Sequence, residues 1–487
     1  MAAPQDSGDG SAFLYQQVVD RVLAHIESGT LRPGDRLPSL RRMSQAAGVS
    51  VPTVRQAYVE LERQRRIEAR PQSGFYVRHL ARNALVQPGA TGPSPKPEPC
   101  VLHCRDLMGR VYDSIHRQDL MPLGIANPTM ARPATKALQR TMKRVLTRAQ
   151  SHALDYAPML GHPTLRRAIA HHYFDTLGAH VDPQDICITN GAQEGLMLAL
   201  KAVTSPGDLV AVESPTYHGV LELIDSLGLL AVEVDTCAES GVMLKHLSEI
   251  LTQHEIRACV FSTTLQSPLG VSMADGERSE LLALLGAHEV TLIEDDVYGE
   301  LRFDGHRPRP AQFSAPACQV ITCGSFSKTV APGYRIGWVV MGEQAERISR
   351  FKRSFSCSSG LLAQLTLAEF LGSGDYQRHL TALRPVLCRH AQRMSALVSE
   401  HFPACTRVSQ PVGGCVLWLE LPDGQRGETL FDHALEEGIS LLPGQLCSPS
   451  GRYEHFIRLS YGHPWHERTE AAVRWLGETV SRAASAG

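Results

Sequence analysis

Apolar residues recur at two different spacings along the chain, and the change from one to the other divides it. Between residues 12 and 78 they fall three or four apart, and Leu14, Val18, Val22 and Ile26 draw one stripe along a helix that ends near Ser28-Gly29. Ser39 is placed to cap a second helix, LRRMSQAAG, which Gly48 terminates. Ser50 caps a third, with Pro52 in the first turn, where a missing N–H costs little. On that third helix Val54, Tyr58 and Leu61 can face a core, which leaves Thr53, Arg55 and Gln56 near its N-terminal end for another partner. RIEARPQSGFYVR then predicts two short strands around Pro71-Gln72-Ser73-Gly74.

After about residue 120 the pattern becomes short apolar runs bounded by turn residues: LVAVES (209–214), LAVEVD (230–235), ACVFS (258–262), VTLIEDD (290–296), QVITCGS (319–325) and IGWVVMG (336–342). Helical stretches lie between several of them, so crossover units and a mostly parallel sheet covered on both faces are expected. Residues 83–100 carry prolines at 88, 93, 95, 97 and 99 with Gly89 and Gly92, which predicts a semi-extended tether able to bury little apolar area. Leu102, Leu107, Val111 and Ile115 predict a short helix docked onto the large domain. The expected division is a module at 12–80, a linker and docking segment at 81–118, and an α/β domain at 119–487 whose smaller α+β C-terminal subdomain covers about 375–487.

Composition narrows the function classes. A length of 487 residues is too great for one ordinary domain, and 43% hydrophobic with 20% charged residues is globular rather than disordered. The net charge of -2 gives no reason for general polyanion binding, so any nucleic-acid contact is local. Locality fits residues 41–70, where seven arginines face three acids. Arginines so placed suit phosphates and guanine edges, and the early residues of the third helix suit a major groove. The 12 cysteines have no disulfide or zinc spacing, since Cys100, His103 and Cys104 lack a second pair, and they read as reduced thiols. No run of about eighteen apolar residues occurs and Met1 to Gly10 is polar, so no membrane association and a cytoplasmic location are expected.

GSFSKTVAPGYRIGW (324–338) carries the most chemistry. Lys328 follows a strand in a Ser325-Phe326-Ser327-Lys328 turn, and Arg335 lies seven residues on. An amine that bonds an aldehyde, with hydroxyls and a guanidinium for a dianionic phosphate, is what pyridoxal phosphate requires. Upstream, IEDDVYGELRF offers Asp295 or Asp296 to pair with a protonated pyridine nitrogen, and Tyr298 to hold the ring oxygen. ITNGAQEGLMLAL reads as strand, turn and helix start, so the N–H groups of Ala192 and Gln193 form a phosphate cradle beyond Gly191. Tyr217 can stack on a ring, and Arg458, ending a strand in FIRLSYG, suits a carboxylate.

RPGDRLPSLRRMSQAAGVSVPTVRQAYVELERQRRIEARPQSGFYV resembles the winged helix-turn-helix of GntR-type bacterial regulators, with Val51 where that family often carries an arginine. Arg41, Ser50, Thr53, Arg55, Gln56, Ser73 and Gly74 are the implied DNA contacts. Residues 120–480 resemble the class I/II aminotransferases of pyridoxal-phosphate fold type I. That resemblance makes Lys328 the Schiff-base lysine, Asp295 the pyridine-nitrogen partner, Tyr298 the ring-hydroxyl partner and Tyr217 the stacking aromatic. It places phosphate contacts on Ala192, Gln193, Ser325, Ser327 and Arg335, and gives Arg458 the carboxylate of an amino acid. One position departs: Gln266-Ser267-Pro268-Leu269-Gly270 has a serine where the family carries asparagine on the ring oxygen. Module, tether and domain in this order resemble the MocR-type subfamily of GntR regulators. Membership would imply a head-to-tail homodimer that binds operator DNA, holds pyridoxal phosphate on Lys328 and answers to an amino compound or to the cofactor itself. An active aminotransferase with an accessory DNA-binding module is the alternative.

Overall fold

The computed structural model describes residues 10–27, 31, 35–63, 66–70, 74–77, 87–88, 98–101, 105–115, 117, 119–128, 132–314 and 316–486. They form two compact units, one up to residue 84 and one from residue 85 on.

The first unit contains α1 (Gly10–Glu27), α2 (Leu40–Ala47), α3 (Val51–Arg63) and the antiparallel pair β1 (Ile67–Arg70) and β2 (Gly74–Val77). Ser39 accepts from the Arg42 N–H at 3.3 Å and Gly48 takes the left-handed conformation, at φ 67, that ends α2. Ser50 accepts from Thr53 N at 3.3 Å and so fixes the start of α3. Val18, Val22, Val54, Tyr58 and Leu61 are buried together, and the Tyr58 hydroxyl donates to Pro38 O at 2.9 Å. Leu14, expected on the apolar stripe of α1, is 41% exposed instead. The core of this small unit closes around Val18, Val19 and Val22, with Tyr15 packed at its edge, and Leu14 falls outside it.

The second unit is built on an eight-stranded sheet. Its strands are β3 (Ile186–Thr189), β4 (Leu209–Ser214), β5 (Leu230–Cys237), β6 (Gly241–Val242), β7 (Ile256–Phe261), β8 (Thr291–Asp295), β9 (Val320–Ser325) and β10 (Gly337–Val340), in the order β3-β10-β9-β8-β7-β4-β5-β6. The pairs from β9 through β8, β7 and β4 to β5 are parallel, and β10 runs antiparallel between β9 and β3. Helices cover both faces: Leu196 and Leu200 of α4 (Ala192–Val203) pack with Val212 and Ile321 on one, and Leu247 and Leu281 pack with Val232 and Leu292 on the other. Parallel strands buried on both sides explain why the runs are continuously apolar rather than alternating.

Toward the C-terminus α5 (Asp375–His401), α6 (Glu467–Ala486) and a four-stranded antiparallel sheet pack together. That sheet has the order β11 (Arg407–Val408), β12 (Val416–Glu420), β14 (Phe456–Ser460), β13 (Leu442–Pro443). The docking helix spans Arg105–Ile115, with Leu107 and Val111 buried and Arg110 paired to Glu428 and Asp432. Leu102 lies outside the described residues. The proline-rich segment departs from a free tether at two points. Pro88 is buried, and Cys100 exchanges backbone hydrogen bonds of 3.0 and 3.1 Å with Ala231 on β5.

Candidate functional site

The carboxyl ends of the parallel strands deliver the chemistry, as open α/β sheets do where loops leave their strands. Strand β9 runs into the turn that holds Lys328, β8 ends at Asp295, β4 leads through Pro215 to Tyr217, β7 leads to Gln266-Ser267, and β3 leads through Gly191 into α4.

The Lys328 amine donates to the carbonyl of Ala126 and lies 5.9 Å from the centre of the Tyr298 ring. Burial lowers its pKa, opposed by Cys415, while the cations Arg458 and Arg335 lower it further and Asp295 raises it. A lysine depressed in this way presents more of the neutral, nucleophilic amine near pH 7. Burial pushes the Asp295 carboxyl up to about 7, and its oxygen accepts from Val297 N at 3.3 Å. Asp296, the other acid of the pair, is committed elsewhere, because Arg307 grips both of its oxygens in a buried ion pair.

The Tyr217 hydroxyl is pushed up to about 12, first by burial and then by Asp295, with Arg458 opposing. Burial raises Tyr298 well above its ordinary range, and the Cys415 thiol beside its hydroxyl adds to the effect. Tyr217 folds back over Gly219, where a Cβ would lie 2.5 Å from the ring, and its ring meets His218 edge-on at 4.8 Å. His218 is driven down to about 3 by burial, then by Arg458 and Lys328, so it stays neutral. These mutual influences place Lys328, Asp295, Tyr217, Tyr298 and Arg458 within electrostatic reach of one another.

A second group of residues surrounds the start of α4. Gly191 has φ 83, and Arg335, itself at φ 51, donates through Nη2 to Asn190 O at 3.2 Å. A Cβ on Gly337 would lie 2.6 Å from the Gly191 carbonyl carbon and 2.9 Å from Ala192 N, so only glycine lets β10 pass this close. The Ser325 hydroxyl lies 3.0 Å from both the Ser327 hydroxyl and the Ser327 N–H. A helix N-terminus, two hydroxyls and a guanidinium are together the kinds of donor an anion requires.

Arg458 sits on β14 opposite Trp418 of β12 and is 3% exposed. Its Nη2 donates to Gly124 O at 2.8 Å, while its buried Nε has no hydrogen-bond partner among the described residues. Ser267 is buried in the loop after β7, where Gln266 donates to Pro215 O at 2.6 Å. A phosphorylated pyridine aldehyde matches this set of groups: donors for an anion, a buried carboxyl, an amine and a buried guanidinium with an N–H to spare.

In the first unit Arg41, Arg55 and Gln56 are exposed, Ser50 is exposed at the cap of α3, and Thr53 is part-buried with its hydroxyl 2.7 Å from that of Ser50. Gly74 opens β2 at φ 112. Ser73 lies outside the described residues.

Sequence reasoning missed several participants. Glu194 and Lys352 form a buried ion pair at 3.0 Å, and Glu194 also accepts from Ser356 and from Asn190 N, which pins the first turn of α4. Ala126, Cys415 and His218 approach Lys328, Tyr298 and Arg458 from distant parts of the chain. No local pattern announces such partners.

Comparison with known proteins identifies the family of each unit. The family model described as aminotransferase class I and II matches residues 118–474, and that of bacterial regulatory proteins, gntR family, matches residues 14–77. The chain is 36% identical over 469 residues to "Uncharacterized HTH-type transcriptional regulator YdcR" of Escherichia coli (strain K12), covering 96% of this chain and 98% of that one. It is 28% identical over 443 residues to "Probable rhizopine catabolism regulatory protein MocR" of Rhizobium meliloti, covering 89% and 87%. The crystal structure of LysN, an alpha-aminoadipate aminotransferase from Thermus thermophilus complexed with N-(5'-phosphopyridoxyl)-L-leucine, matches with a TM-score of 0.70 at 27% identity, over 79% of this chain and 100% of that one. Fold and site together define a transcriptional regulator that joins a GntR-type winged helix to a fold type I aminotransferase domain. The chain belongs to the MocR-type subfamily of GntR regulators, and pyridoxal phosphate is the cofactor of its large domain.

Proposed function

We propose that the protein regulates transcription by sensing an amino compound, or pyridoxal phosphate itself, at Lys328. One observation carries the reading: Lys328, Asp295, Tyr217, Tyr298 and Arg458 converge on one site of a chain whose other unit exposes Arg41, Arg55 and Gln56 around a capped helix. When bound, pyridoxal phosphate supplies an aldehyde that bonds amines covalently and a ring that withdraws electrons.

The residues of the chain divide the remaining work. Lys328 offers an amine kept partly neutral by burial and by Arg458 and Arg335. Asp295 would hold a proton on a ring nitrogen, a reading supported by the commitment of Asp296 to Arg307. Tyr298 and Ser267 would bind the ring oxygen, and Tyr217 would cover the ring face. Ala192, Gln193, Ser325, Ser327 and Arg335 would take the phosphate. The unpaired Nε of Arg458 suits the carboxylate of an incoming amino acid. An effector that engages Arg458 binds one arrangement of the large domain better than another, and that difference in affinity is what can reach the DNA-binding module.

Operator binding at α3 and its neighbours would go with a cytoplasmic location; among the described residues no helix is long and apolar enough to cross a membrane. A homodimer is supported by apolar side chains displayed close together in sequence, with Leu154 78% and Tyr156 93% exposed. Genuine transamination is the second reading, favoured by the depressed Lys328 amine, a competent proton carrier. Ser267 argues against it, because a hydroxyl in place of an amide weakens control of the ring oxygen by about 1 kcal/mol.

The test is to reduce the cofactor-loaded protein with borohydride, digest it and locate the pyridoxyl mass, and to measure operator affinity with and without candidate amines. Label on Lys328 and an amine-dependent shift in affinity are expected. Label on another lysine overturns the site, and steady turnover with an amino donor and a keto acid favours the enzyme reading.

A further inference from the structure

The helix His218–Ser226 begins directly after Tyr217 and carries two polar side chains on one face, His218 and, one turn on, Glu222. Tyr112 of the docking helix lies across that face: its ring meets the His218 ring edge-on at 6.1 Å, and its hydroxyl donates to the Glu222 carboxylate. The row starts deep and ends at the surface, since His218 is 6% exposed, Glu222 is half-buried and Tyr112 is 36% exposed.

The deep end adjoins the proposed sensing site. The His218 ring meets that of Tyr217 at 4.8 Å, and after burial the groups that hold His218 neutral are Arg458 and Lys328. Burial and the Glu222 bond raise the Tyr112 hydroxyl, with Tyr217 adding and Arg458 opposing. Glu222 also adds to burial and Asp295 in raising the Tyr217 hydroxyl. The row therefore leads from Arg458 outward.

Two groups in it lack the partner that their chemistry calls for. The Nδ1 of His218 is buried without a hydrogen bond among the described residues, and a neutral imidazole keeps one lone pair for an N–H donor. Glu222 accepts from a neutral phenol and has no ion-pair partner among the described residues, whereas Asp225, three residues on, pairs with Arg105 at 2.6 Å. Docking of the two helices thus has an ion pair of its own. A free lone pair, a carboxylate and the face of a phenol are what a ligand ammonium group binds. An acidic side chain would instead meet the charge of Glu222, and the neutral His218 offers it no cation.

We infer that the effector is an amino acid with a second, cationic amine, whose side chain runs from Arg458 past His218 to Glu222 and Tyr112. The inference rests on the proposed function above and deepens it, because His218, Glu222 and Tyr112 then select among amino compounds that Arg458 and Lys328 alone would accept. Repulsion between Arg458 and the second amine is offset by the α-carboxylate of the same ligand, which binds that arginine.

Calorimetry on the full-length protein freed of cofactor tests this with probes that share the phosphate, the ring and the α-carboxylate. They are Nα-(5'-phosphopyridoxyl)-L-lysine, the L-norleucine compound, which has the same chain without the ammonium, and the L-glutamate compound. The lysine probe should bind about tenfold more tightly than the norleucine probe, and the glutamate probe more weakly than either. Glu222→Gln should bring the lysine-to-norleucine ratio close to one, and Glu222→Lys should invert the order of the lysine and glutamate probes. A merely structural Glu222 would shift all the probes together, so the absence of either change overturns the inference. Norleucine or glutamate probe bound to the unaltered protein at least as tightly as the lysine probe also overturns it and leaves the sensing site standing. Failure of every probe to bind removes the sensing site as well.

Discussion

The guanidinium of Arg335 lies against Gly191 so closely that a Cβ on that glycine would stand 2.5 Å from its Nη2. Gly191 is also at φ 83, so two independent constraints meet where α4 begins. Gly191→Ala must strain the backbone and push the arginine away from the start of α4. A stability loss of about 1–3 kcal/mol is expected, together with cofactor affinity lowered at least about tenfold for the loss of one charge-assisted bond, measured by denaturation and by absorbance titration.

Lys328→Ala removes the amine that lies against Tyr298. The variant should keep its fold and the donors at the start of α4, bind pyridoxal phosphate more weakly, and leave no pyridoxyl mass after borohydride reduction. An unchanged yield of labelled peptide would end the assignment.

Arg458→Leu keeps much of the buried stem and deletes the guanidinium that holds Gly124 O and carries the spare Nε. Affinity for N-(5'-phosphopyridoxyl)-L-leucine should fall by about 2 kcal/mol or more, whereas affinity for pyridoxal phosphate alone, which brings no α-carboxylate, should change far less. Equal losses for both ligands would show that Arg458 is structural.

Asp295 makes the stability of the cofactor-stripped protein depend on pH. Burial pushes its carboxyl up to about 7, while in the unfolded chain it titrates near about 3.9. Between those values the folded state binds more protons, so this group removes stability as pH rises from about 4 to about 7. Glu294, buried next to Asp295 on β8 and with its carboxyl also pushed up to about 7 by burial, acts in the same direction. Stripped Asp295→Asn should therefore exceed the unaltered protein by up to about 4 kcal/mol at about pH 8, with the gap closing toward about pH 4, as urea denaturation would measure.

Arg55 stands exposed near the start of α3. Arg55→Ala should weaken operator binding by about 1–3 kcal/mol if the arginine reads a base. If it holds a phosphate, binding should weaken on all sequences and the salt slope should fall by about one. Binding measured at several salt concentrations on operator and on unrelated duplex separates the two.

Much of this protein was legible in one dimension because its elements announce themselves locally. The caps at Ser39, Ser50 and Gly48 and the apolar runs of β4, β5, β7, β8 and β9 are patterns of spacing, and they stand where spacing put them. Leu14 shows the limit, since a periodic position is buried only if a neighbour arrives to cover it. The proline-rich segment shows another. Its composition excludes a helix, but it does not reveal that Pro88 is buried and lines one small cleft with Trp418, Tyr453 and Phe456.

Residue chemistry and short-range order were the sequence's to decide: which side chains can bond an aldehyde, bind an anion or cap a helix, and which runs form buried strands. The tertiary structure decided what depends on contacts between distant segments. It committed Asp296 to Arg307, which leaves Asp295 for other work, brought the Ala126 carbonyl to the Lys328 amine, and set Arg458 opposite Trp418 of the neighbouring strand. Such choices turn on burial and on the nearest charge, and both are properties of packing that a linear pattern does not contain.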